Sequence, residues 1–177
     1  QQGFRSIAIV LMHAWNYPTH EQQLAALAEK IGFTQISVSH QVSPFIKIVS
    51  RGDTTVVDAY LSPLLRRYVA QVSQGLQQYV QKSSDKPQLL FMQSNGGLTD
   101  ANSFQGKDSI LSGPAGGIVG AIATAEQAGF NKIIAFDMGG TSTDVAHYAG
   151  ELERSFETEI AGVRMRVPMM NIHTVAA

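Results

Sequence analysis

The chain has 177 residues, 44% of them hydrophobic, a formal net charge of -1 and no cysteine. That length and apolar share support an ordinary folded core. The near-zero charge gives nucleic acid no basic field to bind, and the missing cysteines exclude a disulfide framework, a thiolate nucleophile and a zinc–thiolate site. The apolar run SIAIVLM is too short to span a bilayer and no charged leader precedes it, so the sequence reads as soluble, cytoplasmic and without a membrane partner. A start on Gln1 and a stop at HTVAA create the expectation of a piece cut from a longer protein.

Residues 6–12 form a continuous apolar run, as in a strand covered on both faces. Thr19 then opens a helix, with Gln22 at capping-box spacing, Leu24, Leu27, Ala28 and Ile31 on one face, and Gly32 as the stop. A strand resumes over residues 35–39, and this strand, helix, strand order predicts a βαβ unit with parallel pairing. From Thr54 onward Val57, Leu61, Leu64, Leu65, Tyr68, Val72 and Leu76 recur at helical spacing. Ser62 can cap and Pro63 can take a first helical position, which predicts a kink or two abutting helices there.

KSSDKP is a polar break, PQLLFMQS a strand, and NGGLTDANSFQGKDS a loop rich in turn residues. LSGPAGGIVGAIATAEQAGF reads as a helix with Ser112 or Gly113 at the cap, Pro114 in the first turn and Gly129 as the stop. Gly116, Gly117 and Gly120 each cost that helix about 1 kcal/mol relative to Ala, a cost that fits a face approached closely by another helix or a ligand. Residues 132–136 and 144–148 read as two strands, with further strands near 152–156 and 164–167. The fold class is α/β, built from βαβ units with a mixed sheet.

Between the first two of those late strands stands FDMGGTSTDVA. Asp137 closes an apolar run, so its carboxylate can project past the sheet edge toward a metal or water. Mg²⁺ keeps several waters and uses one or two carboxylates together with phosphates. Gly139 and Gly140 let backbone N–H groups approach phosphate oxygens, and Thr141, Ser142 and Thr143 add hydroxyl donors. The same residues also fit a glycine-rich β-hairpin with a solvated Asp. Other phosphate and nucleophile signatures are missing: there is no GxxxxGK[ST] and no GxSxG, and GPAGGIVG is not GxGxxG. His13, His20, His40, His147 and His173 share no helical metal-pair spacing and read singly as capping, surface or packed residues.

VLMHAWNYPTHEQQ, LAEKIGFTQISVSHQVSP, TTVVDAYLSPLLRRYV, LLFMQSNGGL, ILSGPAGGIVGA, FDMGGTSTDVAHYAGE and NIHTVAA stand in an order that strongly resembles the hydantoinase/oxoprolinase family over essentially the whole chain. IVSRG is closest to its oxoprolinase branch. The resemblance implies part of an actin, sugar-kinase and heat-shock-ATPase-like (ribonuclease H-like) two-lobe fold. Residues 1–112 would end the first lobe, and residues 113–177 would supply the connecting helix and the start of the second, with its phosphate-binding hairpin. An earlier phosphate loop and the adenosine site would lie elsewhere, so the piece alone is expected to lack turnover.

For the intact enzyme the resemblance implies ATP-driven, Mg²⁺-assisted opening of 5-oxo-L-proline, or a related cyclic amide, to L-glutamate. Asp137 would hold Mg²⁺ and act with Asp144. Gly139, Gly140, Thr141, Ser142 and Thr143 would cradle phosphate, and Gly113, Gly116 and Gly117 would present the helix start to nucleotide or to the other lobe. Implied partners are a hydantoinase B-type region or subunit and further copies of the full-length chain. An N-methylhydantoinase or ketone-carboxylase subunit and a non-catalytic nucleotide-sensing domain stay as alternatives.

Overall fold

The computed structural model describes residues 3–80 and 88–176, so KSSDKP lies outside the described residues. In chain order the elements are β1 (Ser6–Ile9), α1 (Thr19–Ile31), β2 (Gln35–Val38), α2 (Ser39–Val42), α3 (Ile48–Val80), β3 (Leu90–Met92), β4 (Leu98–Asp100), a 3-10 turn (Gly106–Asp108), α4 (Ser112–Gln127), β5 (Ile133–Met138), β6 (Ser142–Tyr148), β7 (Arg154–Ser155), β8 (Thr158–Ile160), β9 (Val163–Met165), β10 (Met169–Met170) and β11 (His173–Ala176). They divide into two compact units: β1, β2, α1 to α3 and the hairpin β8–β9 make the first, and the other strands with α4 make the second.

In the first unit β1 and β2 pair in parallel, from Ser6↔Gln35 to Ile9↔Val38, which is the expected βαβ arrangement. Ile9, Ala28 and Val38 form its core, with Ile7, Ala25, Phe33 and Ile36 packed against them. Gly32 ends α1 in the left-handed region at φ 102°, and its N–H reaches the Ala28 and Glu29 carbonyls. The start of α1 differs from the capping-box expectation. Pro18 is the N-cap and no side chain caps the helix. Of the expected apolar face Ala28 is buried, whereas Leu24, Leu27 and Ile31 are exposed, and the helix also buries Glu21 completely. Glu21 explains the short strand as well, because the Leu11 N–H donates to its carboxylate at 2.8 Å instead of continuing a ladder.

Helix α3 runs unbroken through Pro63 and begins at Ile48, earlier than the periodicity indicated. The Ser62 hydroxyl caps nothing. It donates to Asp58 Oδ1 at 3.1 Å and accepts the Gly106 N–H at 3.0 Å, while Asp58 Oδ2 accepts from Ser37 Oγ at 2.7 Å. With that hydroxyl engaged by Asp58 one turn back on the same helix and by Gly106, nothing at Ser62 restarts the helix. Gly106 has to be small here, since a Cβ on it would stand 2.7 Å from the Ser62 nitrogen.

The second unit is built on a three-stranded sheet in the order β11-β6-β5, antiparallel throughout. Helix α4 covers one face, where Ala115, Ile118 and Ile122 pack against Ala146, Tyr148 and Met170. Tyr148 pins the far end of the helix by donating its hydroxyl to Glu126. Alternation along β5 places Ile133, Ala135 and Asp137 on the helix side and leaves Ile134, Phe136 and Met138 exposed on the other. Part of the expected loop is strand: Leu98–Asp100 pairs with Leu90–Met92, and Phe91 stacks on Phe104 at 5.2 Å. Among the described residues no helix is long and apolar enough to cross a membrane.

Candidate functional site

Strand β5 runs one residue beyond Asp137, to Met138, before the chain turns. The Gly139 N–H donates to the Ser142 carbonyl at 2.9 Å, which closes the turn over Gly140 and Thr141. This hairpin sets Asp137 directly opposite Asp144. Both sit on the helix side of the sheet, just past the core residues Ala135 and Ala146. Two carboxylates facing each other across an antiparallel pair repel, and a cation between or beside them removes that cost. Thr174 on β11 is the register neighbour of Asp144 and donates its hydroxyl to Asp144 Oδ1 at 2.6 Å. One Asp144 oxygen is thereby fixed in direction.

The glycines of the turn are not there for backbone shape. Neither Gly139 nor Gly140 is among the residues with positive φ. A Cβ on Gly140 would meet nothing within 4 Å, and one on Gly139 would meet only the Ser142 carbonyl at 3.6 Å. Alanine would therefore fit at both positions in the protein alone. Bare backbone with open space around it is the shape in which amides can meet phosphate oxygens. With the paired carboxylates beside it, this donor set fits a phosphate and its Mg²⁺. Among the described residues no cluster of three or more His, Asp or Glu side chains forms a self-sufficient metal site. Mg²⁺ does not need one, because it takes its remaining ligands from waters and phosphate.

The remaining predicted residues divide by face. Ser142 shares the helix side with Asp144 by alternation, whereas Thr143 points to the opposite face, where Met138 and Val175 are its register neighbours. Thr141 lies in the exposed turn. On α4, a Cβ at Gly117 would stand 3.4 Å from Asp137 Oδ2, and one at Gly116 would stand 3.6 Å from Met92. Gly113 and Gly120 face open space within the protein. Of these four glycines, Gly117 is the one that lies against the hairpin. Sequence reasoning missed Thr174, because its position depends on the long-range pairing of β11 with β6, for which NIHTVAA carries no local signal.

Gly117→Ala follows as a test of that contact. Helix propensity alone favours the substitution by up to about 1 kcal/mol, and the single neighbour at 3.4 Å is a side-chain oxygen able to shift. We expect thermal stability to be unchanged or slightly higher and turnover of the full-length protein to fall, because the carboxylate that shifts is Asp137.

Residues 51–177 match the hydantoinase/oxoprolinase family. The chain belongs to that family. A 5-oxoprolinase of Saccharomyces cerevisiae is 45% identical over 177 residues, which cover 99% of this chain and 13% of the yeast protein. The caprolactamase subunit alpha of Pseudomonas jessenii is 30% identical over 181 residues, covering 100% of this chain and 25% of the subunit. The crystal structure of ATP-dependent caprolactamase from Pseudomonas jessenii superposes with a TM-score of 0.84 at 29% identity, over 99% of this chain and 26% of the solved one. The family therefore includes members organised in subunits, and the mixed α/β architecture is that of an ATP-dependent relative. This chain spans only a small part of each.

Proposed function

We propose that the full-length protein containing this chain hydrolyses 5-oxo-L-proline to L-glutamate, coupled to hydrolysis of ATP. The observation that carries the reading is the Asp137–Asp144 pair set beside two glycines that the fold itself does not require. The 45% identity to a 5-oxoprolinase over nearly the whole chain supports 5-oxoproline as the substrate.

A lactam is a poor electrophile, and transfer of a phosphoryl group to its carbonyl oxygen creates a leaving group before water attacks the carbon. Such transfer depends on positioning and on neutralising charge. In this reading the Gly139 and Gly140 N–H groups hold phosphate oxygens, and the Thr141 and Ser142 hydroxyls add donors. Asp137 would hold Mg²⁺, which would supply positive charge against the transferring group. Asp144, one oxygen of which is fixed in direction by Thr174, would support that ion from across the strand pair. The small residues at the start of α4, Gly113, Gly116 and Gly117, border the nucleotide. The hydrolytic half is supplied by a B-type region or subunit, and the assembled enzyme is cytoplasmic.

Phosphate release by the full-length protein tests this, with 5-oxoproline, caprolactam, N-methylhydantoin, acetone with bicarbonate, or no substrate added to ATP and Mg²⁺. We expect 5-oxoproline to stimulate release most strongly and to yield glutamate. Stimulation by another compound and none by 5-oxoproline would move the assignment to that substrate class. Nucleotide binding without stimulated turnover would favour a sensing domain.

A further inference from the structure

Helix α3 is amphipathic in the inverse sense. The side that faces its own unit buries Arg51, Thr54, Thr55, Asp58 and Ser62, and hydrogen bonds tie this row to Ser39, Arg166, Ser37 and Gly106. The outward side carries Val49, Val56, Tyr60 and Leu64, each between 49% and 71% exposed. Steps of three and four keep these four on one stripe with Asp53 and Arg67, over a length of about 27 Å. A surface helix ordinarily turns its apolar stripe inward. Single exposed apolar side chains are ordinary, but a continuous row of them marks an interaction surface.

The charges on the stripe select its occupant. Asp53 lies seven residues before Tyr60 and Arg67 seven after it, while Val56 and Leu64 lie four before and four after. A second copy of α3 laid antiparallel across the first, with Tyr60 on the two-fold axis, therefore sets Val56 on the partner's Leu64 and Asp53 opposite the partner's Arg67, twice by symmetry. A parallel pairing would set Asp53 against Asp53 and Arg67 against Arg67. Both charges are available: Arg67 is exposed and in no ion pair among the described residues, and Asp53 meets only the largely exposed Arg164, at 3.4 Å through one oxygen. Helices with three-and-four spacing pack at a shallow angle of about 20° with axes about 8–10 Å apart, within reach of an arginine side chain. Tyr and Arg are also the residues that interfaces concentrate.

We propose that the outward face of α3 is the dimerisation surface of the full-length protein, with two copies meeting antiparallel about Tyr60. The same patch serves both copies, so the contact closes on itself and leaves no surface open for further addition. The inference stands apart from the lactam-hydrolase reading, because every residue of the stripe lies on α3 and none belongs to the β5–β6 hairpin.

Sedimentation velocity on the full-length protein over a range of concentrations tests this, with circular dichroism and thermal melts as controls for folding. The wild type is expected to sediment as a dimer at micromolar concentration. Tyr60→Asp sets two carboxylates face to face on the axis and is expected to raise the dimer Kd about a hundredfold or more. Asp53→Arg and Arg67→Asp each turn two opposite-charge pairs into like-charge ones, and each should raise Kd about tenfold. The double variant Asp53→Arg with Arg67→Asp restores both pairs with the signs exchanged and should return to within about threefold of wild type. A monomeric wild type overturns the proposal, and so does a dimer indifferent to Tyr60→Asp. A lowered melting temperature with the dimer intact assigns the stripe to another segment of the same chain, and loss of a B-type subunit in place of the second copy assigns it to that partner; either result overturns the proposal. Weakening by Tyr60→Asp with no rescue in the double variant overturns the antiparallel pairing.

Discussion

Asp137→Asn in the full-length protein is expected to lower turnover about 10²- to 10³-fold, the scale seen when one preorganised electrostatic contact to a transition state is removed, with little effect on folding. The substitution preserves shape. Asp137 is exposed, lies beyond the core formed by Ala135, Ala146 and α4, and faces another carboxylate across the strand pair. Removing one of two opposed carboxylates relieves repulsion in the protein alone, so stability should hold or rise slightly. The loss falls where charge is needed, on the metal and the transferring phosphoryl group. Titrating Mg²⁺ at saturating ATP separates these effects: the variant should need more Mg²⁺ and still turn over slowly when saturated. Near-wild-type turnover with unchanged Mg²⁺ dependence would mean that the hairpin is a solvated turn with no ion.

The largest loss of stability is expected at Arg51. Arg51→Met keeps much of the volume and the alkyl stem but deletes the guanidinium. The carbonyls of Met12 and Phe45 lose their donor, the Leu11 carbonyl keeps only the Ala14 N–H at 3.3 Å, and the buried Glu21 carboxylate loses the positive charge closest to its network. Breaking a buried charged arrangement from one side typically costs about 3–5 kcal/mol. Urea unfolding of the chain should register a loss of that size as a lower midpoint with an unchanged slope. A loss under about 1 kcal/mol would show that water reaches these carbonyls and that the network is less closed than its geometry.

Both predictions bear on what could be read from residues alone. The parallel pair was legible because the apolar runs, the helix between them and Gly32 each point to the same βαβ unit. Asp137 and Asp144 were recognisable as a pair of acids. Their facing register also follows once the turn is centred on Gly140 and Thr141, since a two-residue loop fixes which residues stand opposite. Features decided by distant partners were not legible. Ser62 and Pro63 read as a helix restart until the distant Gly106 N–H claims the hydroxyl, which also reaches Asp58 one turn back. The buried face of α1 was misjudged because Leu24 and Leu27 are the stronger apolar signal, while Glu21 is drawn inward by Leu11, Ser39 and His40. His40 itself looked like any single histidine; His147 also meets a glutamate, Glu153 at 3.0 Å, and what sets His40 apart is that its partner Glu21 is fully buried. Leu98–Asp100 and His173–Ala176 were too short to carry a period, and their strand character comes from β3 and β6.

The central claim is that the β5–β6 hairpin is a phosphate and metal site, and a crystal structure of the full-length protein with Mg²⁺ and a non-hydrolysable ATP analogue tests it most directly. The account predicts phosphate oxygens within hydrogen-bonding distance of the Gly139 and Gly140 N–H groups, and Mg²⁺ about 2.0–2.1 Å from an Asp137 oxygen or joined to it through one water. Nucleotide bound elsewhere, with no ion or phosphate at Asp137, Gly139 and Gly140, would contradict it.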